Sequence, residues 1–98
     1  MINIHYDLHE ITVQGHAPRP KGTKPGENIV CAAVSALTLT LIEGLEAFAG
    51  MRMEASAEKG DVRIQWLQIT PAGKILIDTW YIGVQNIRDS YPGAITIE

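Results

Sequence analysis

Cys31 and His16 are the residue types that nucleophilic catalysis needs: a sulfur that attacks as its thiolate, and an imidazole able to take and return a proton. Asn28 stands just before an apolar helical pattern and predicts an N-cap, which puts Cys31 at the third helical position. The unpaired backbone N–H groups and the helix dipole of that first turn favour an anion, so a thiolate is stabilised there. The bland alternative is a small buried hydrophobe, the usual fate of an unpaired cysteine. Counting from Cys31 by four and three gives Ser35, Thr38 and Ile42, a more polar face than the main apolar stripe of the helix. His16 follows Gly15 at the end of a strand pattern, where the chain leaves the sheet. If the intervening loop closes back to the helix start, imidazole and thiol meet at one edge of the domain, although a histidine after glycine is by itself more often a turn residue.

Other chemistry finds less support. His5 and His9 have the spacing of two ligands on a helix, but the alternation around His5 says strand, which separates them by roughly 13 Å. With a single cysteine and no evident carboxylate–histidine cluster, neither a metal nor a cofactor is expected. Lys21-Gly22-Thr23 resembles the end of a phosphate-binding loop without its first glycine.

The elements that must position these groups follow from periodicity. Ile2, Ile4 and Tyr6, then Ile11 and Val13, alternate with polar residues around Leu8-His9-Glu10 and predict a β-hairpin. Residues 17–27 (APRPKGTKPGE) are too rich in proline and glycine for a helix or central strand, and they carry Arg19, Lys21 and Lys24. Val30, Val34, Leu37, Leu41, Leu45 and Phe48 mark a helix ending near Ala49 or Gly50. Met51, Met53, Ala55 and Ala57, then Val62, Ile64 and Trp66, predict a second hairpin. Thr70-Pro71 opens a second helix with Leu76, Trp80, Val84, Ile87 and Tyr91 on one side, and Pro92-Gly93 ends it before a short edge strand over residues 94–98. The order is ββαββαβ: an α+β fold in a single domain, residues 1–98, with a mostly antiparallel sheet packed against two helices.

The chain has 98 residues, with 8 Lys+Arg against 11 Asp+Glu and a net charge of −3. That balance argues against direct nucleic-acid binding. The uncharged stretch from Asn28 to Ile42 is shorter than the roughly 18–20 apolar residues of a membrane span, so no membrane partner is expected. One cysteine and a leader-free start point to the cytoplasm. A core limited by this length makes self-association a reasonable supplement.

Gly15-His16-Ala17, then Gly26, then Asn28-Ile29-Val30-Cys31-Ala32-Ala33-Val34-Ser35-Ala36-Leu37 resembles the signature of the ribosomal-processing cysteine protease family called Prp. The resemblance implies a homodimeric cysteine endopeptidase with a His–Cys dyad, Cys31 as nucleophile and His16 as base. It also implies a substrate: the bacterial large-subunit ribosomal protein twenty-seven, whose short apolar N-terminal extension is removed after an aromatic residue. The backbone N–H groups of Cys31 and Ala32, at the helix start, are the physical candidates for an oxyanion hole. Gly15, Ala17, Arg19, Lys21, Gly22, Lys24, Gly26, Asn28 and Ser35 are candidates for the surrounding loop and for substrate contact.

Two features depart from the family pattern. Asn28 stands where the family commonly has Asp, and the loop between histidine and cysteine, which in the family resembles a flap, is longer and richer in proline. Two alternatives therefore remain: the same protease chemistry on another protein, such as a phage structural protein, or a non-catalytic dimeric binding module in which the altered loop blocks the site. Ile75, Trp80 and Ile82 are candidate dimer contacts on the second helix.

Overall fold

The Asn28 cap forms as its position predicts. In a computed structural model, which describes residues 1–17 and 28–98, Asn28 adopts an extended conformation and its Oδ1 accepts the N–H groups of Val30 at 3.0 Å and Cys31 at 3.1 Å. Helix α1 then runs over Ile29–Phe48. Thr70 caps α2, Pro71–Ser90, in the same way, its Oγ1 accepting the Gly73 N–H at 3.1 Å, with Pro71 opening the helix where no donor is needed.

The strands are β1 (Ile2–Tyr6), β2 (Glu10–Gln14), β3 (Met53–Glu58), β4 (Asp61–Trp66) and β5 (Ile95–Ile97), giving the expected ββαββαβ order. Met51, expected in β3, precedes it. The five strands form one sheet in the order β3-β4-β2-β1-β5. All pairings are antiparallel except β1 with β5. The two hairpins join through β2 and β4, where Ile11 faces Ile64 and Val13 faces Val62.

Both helices are amphipathic and bury their apolar stripes with one face of this sheet. Ile4, Ile11, Leu45, Ile64, Ile77 and Val84 are the most deeply buried large side chains. The stripe on α1 is wider than its periodicity suggests. Thr38 and Ile42, placed on a polar face by counting from Cys31, are buried, whereas Phe48 is 79% exposed. Thr38 is drawn in because its hydroxyl accepts the Trp80 indole N–H at 3.1 Å. Trp80 is accordingly a core residue and not a surface contact, while Ile75 and Ile82 are exposed.

α1 also corrects the membrane arithmetic. The helix is 20 residues long and by length and composition is apolar enough to cross a membrane. In the fold its apolar face packs instead on the sheet and on α2, through Val30, Val34, Leu41 and Leu45.

Candidate functional site

The end of β2 and the start of α1 meet through the backbone of residues 15–17. The Gly15 N–H donates to the Gly60 carbonyl at 2.9 Å, which ties the strand end to the β3–β4 turn. Gly15 has φ +93, and a Cβ there would run into the Met1 carbonyl, so no other residue fits without displacing Met1. The terminal amine of Met1 donates to the His16 carbonyl at 2.6 Å. Ala17, buried, closes the junction: Asn28 Nδ2 donates to its carbonyl at 2.9 Å, and its own N–H donates to Cys31 Sγ at 3.2 Å.

Cys31 is half-buried, and its sulfur therefore receives a backbone N–H at the N-terminal end of a 20-residue helix. The N–H donor and the helix N-terminus both set positive partial charge against the sulfur. His16 is exposed, and its imidazole lies over Gly60. A Cβ on Gly60 would come within 2.6 Å of His16 Nε2, so the ring occupies space that only glycine leaves open, at a turn with φ +77. Among the described residues no hydrogen bond joins the imidazole to Sγ, whose donor is the Ala17 amide.

His16, Cys31, Gly15, Ala17, Asn28, Ala32 and Ser35 line one cleft of about 800 Å³, so the described members of the expected set share one cavity. That size lies within the range of about 300–1,000 Å³ typical of ligand pockets. The sequence pattern does not reveal that Leu39 extends the α1 side of this cleft, nor its other wall, formed by residues 57–62 of the second hairpin. Arg19, Lys21, Gly22, Lys24 and Gly26 lie outside the described residues.

The expected oxyanion donors are occupied. The Cys31 N–H goes to Asn28 Oδ1 at 3.1 Å and the Ala32 N–H to the Asn28 carbonyl at 3.0 Å. A good cap consumes the donors that a helix start would otherwise offer. The expectation that no carboxylate–histidine cluster exists is also corrected. The β1–β2 hairpin brings ligand atoms of His5, Asp7 and Glu10 within 4.8 Å of one another, a set able to hold a metal ion. His5 spends Nε2 on Asp7 Oδ2 at 2.8 Å. The cluster stands at the turn of the first hairpin, and none of its members lines the cleft of Cys31.

A small α+β fold that presents one thiol at a helix N-terminus, with a histidine in the same cleft, brings together the residue types that nucleophilic catalysis needs. The sequence pattern of the family described as Cysteine protease Prp matches residues 1–96, and the chain belongs to that family. Among solved structures, the S. aureus ribosomal processing protease Prp with a covalently linked product peptide is similar at TM-score 0.83 and 18% identity, covering 99% of this chain and 95% of that one. The same protease with a substrate peptide gives TM-score 0.79 at 17% identity, with the same coverage. SMU.848 from Streptococcus mutans gives 0.74 at 24% identity, covering 100% of this chain and 96% of that one. No curated protein sequence matches significantly.

Proposed function

We propose that this protein is a cysteine endopeptidase, a single catalytic domain over residues 1–98, with Cys31 as nucleophile and His16 as its general base and acid. The observation that carries the reading is the Ala17 N–H···Sγ hydrogen bond of 3.2 Å at the capped start of α1, inside a cleft that His16 also lines. The Cys31 thiolate attacks the scissile carbonyl carbon, forming a C–S bond. Before the attack the sulfur is held by the Ala17 N–H. The C–N bond then breaks, and the amine leaves with the proton held by His16. Water, deprotonated by the same imidazole, hydrolyses the thioester and restores the thiol. To serve in this way the His16 ring swings from Gly60 toward Sγ.

Family membership supports a substrate on the ribosome: the short apolar N-terminal extension of large-subunit ribosomal protein twenty-seven, in the cytoplasm of a bacterium. Similar structures hold peptides, which favours a protein substrate. A homodimer belongs to the same proposal, and Ile75 and Ile82, exposed on α2, are the residues offered for its interface. The test is incubation with a peptide bearing an apolar extension that ends in an aromatic residue, beside the Cys31→Ser variant. Cleavage by the wild type alone supports the reading, and cleavage that survives the substitution ends it.

A second reading, a non-catalytic binding module, is favoured by one observation: His16 rests on Gly60 and makes no hydrogen bond to Sγ among the described residues. Iodoacetamide labelling of Cys31 separates the two. Faster labelling than free cysteine at pH 6 supports the enzyme, and slower labelling supports the binding module.

A further inference from the structure

Among the described residues, the face of β3 turned toward the helices is covered at Met53, which packs against the core, and left open beyond it. Met53, Ala55 and Ala57 lie directly opposite Trp66, Ile64 and Val62 and so point to the side of the sheet that carries the core. Trp66 and Ile64 are buried, but Ala55 and Ala57 are exposed. The helices stop short of the edge strand and leave an open gallery one strand wide. Its floor is kept low by two alanines, where a strand ordinarily favours β-branched or aromatic side chains.

This gallery opens into the cleft of the candidate nucleophile. Cys31, Ser35 and Leu39 succeed one another at four-residue intervals on α1, hence on one helix face, and all three line the same cavity as Ala57 and Val62. Leu39 is 47% exposed, an apolar side chain of α1 that faces that cavity. At the other end of β3, Met53 lines a second, more open cleft with Met51, Trp66 and Ile69. From Ala57 to Met53 the strand spans roughly 13 Å at about 3.3 Å per residue, the reach of four or five residues of extended peptide.

We propose that an extended segment of the substrate polypeptide lies over the open part of this face of β3, alongside α1, with an apolar side chain held between Leu39 and Ala57 while the scissile bond sits at Cys31. Leu39 and Ala57 are then specificity-determining residues, and the small size of Ala57 is what admits the chain. The occupant is a peptide because the exposed part of β3 is an extended, apolar floor whose Ala57 end shares a cavity with a thiol suited to attack a carbonyl. The inference rests on the proteolytic reading for its chemistry but not for its binding test.

The synthetic octapeptide Leu-Ala-Leu-Ala-Phe-Ala-Ser-Gly, acetylated and amidated, is titrated into the ¹⁵N-labelled Cys31→Ala protein. Amide shifts at Leu39 and Ala57 are expected. Shifts confined elsewhere, or none at millimolar peptide, overturn the proposal even where the wild type cleaves. In the active protein Ala57→Trp is expected to lower kcat/KM for the same peptide at least tenfold, while iodoacetamide labelling of Cys31 stays within twofold. Leu39→Gln, a surface change on a helix, is expected to raise KM at least fivefold. Cleavage by both variants within twofold of wild type overturns the proposal. If no peptide is cut, binding shifts at Leu39 and Ala57 retain the groove and the failure falls on the proteolytic reading alone.

Discussion

The side-chain amide of Asn28 joins the two halves of the site to each other: Nδ2 donates to the Ala17 carbonyl at 2.9 Å while Oδ1 accepts the N–H groups of Val30 and Cys31. Both Asn28 and Ala17 are buried. The clasp fixes the strand end against the helix start, and the Ala17 N–H that meets the sulfur is held by the same peptide segment. A carboxylate in place of the amide keeps the cap but sets an acceptor against an acceptor at Ala17. Asn28→Asp is therefore expected to destabilise the fold by about 1–3 kcal/mol, the cost of a buried hydrogen bond lost with its partner left behind. Urea denaturation with a two-state fit measures it, and an unchanged midpoint would show that the clasp does not bear on stability.

Gly60 holds space for the His16 ring. In Gly60→Ala the new methyl would meet Nε2 and Cε1 at 2.6 and 2.9 Å, and the φ of +77 adds backbone strain. The expected loss is about 1 kcal/mol or more of stability, together with a displaced imidazole and an altered His16 ring spectrum by NMR. Gly50→Ala supplies the control: its φ is +62 and nothing lies within 4 Å of the added methyl. It should show the backbone strain without the spectral change. Identical His16 spectra in both variants and the wild type would mean that the ring does not depend on Gly60.

The parts of this arrangement that were legible in the sequence are the local ones. Asn28 and Thr70-Pro71 cap helices by contacts within three residues, and strand alternation shows itself over five. Most of what escaped depends on elements distant in sequence. The loss of the Cys31 and Ala32 amides as oxyanion donors follows from how completely Asn28 caps, which position alone does not reveal. Thr38 looked polar because its partner, the Trp80 indole, lies 42 residues further along the chain. The wall formed by Ala57 and Val62 arises because the β2–β4 pairing swings the second hairpin beside α1, an arrangement that no periodicity encodes.

Thr38 offers a sharp test of that long-range pairing. Its hydroxyl is the acceptor for the Trp80 N–H, and both side chains are buried. Thr38→Val keeps the shape and removes the acceptor, leaving an indole N–H without water or partner. The expected cost is about 1–3 kcal/mol, and each kcal/mol corresponds to a fall of roughly 4–8 °C in Tm for a chain of this size. Thr38→Ser, which restores an oxygen but loses a methyl, should recover part of the loss. A valine variant as stable as the wild type would remove this hydrogen bond from the account of the core.

The exposed pair at the first hairpin makes stability depend on pH in a defined direction. His5 is raised above its ordinary 6.5, chiefly by the hydrogen bond to Asp7 and further by the charges of Asp7, Glu10 and Glu98, against an opposing desolvation. Asp7 is lowered below its ordinary 3.8, first by the His9 backbone N–H and then by His5. A raised histidine contributes stability that is full below its unfolded value and is lost as pH rises through the folded one. A lowered carboxyl contributes stability that is present above its unfolded value and is lost on acidification. The pair therefore supports the fold most between the two ordinary values, about pH 4 to 6.5; the histidine's share is lost as pH rises above that range and the carboxyl's share as pH falls below it. His5→Gln is expected to lower Tm more at pH 5.5 than at alkaline pH, and added salt should shrink the difference because both groups are exposed. Calorimetry of wild type and variant across this range measures the effect, and a Tm difference that grows toward alkaline pH would reverse the assignment.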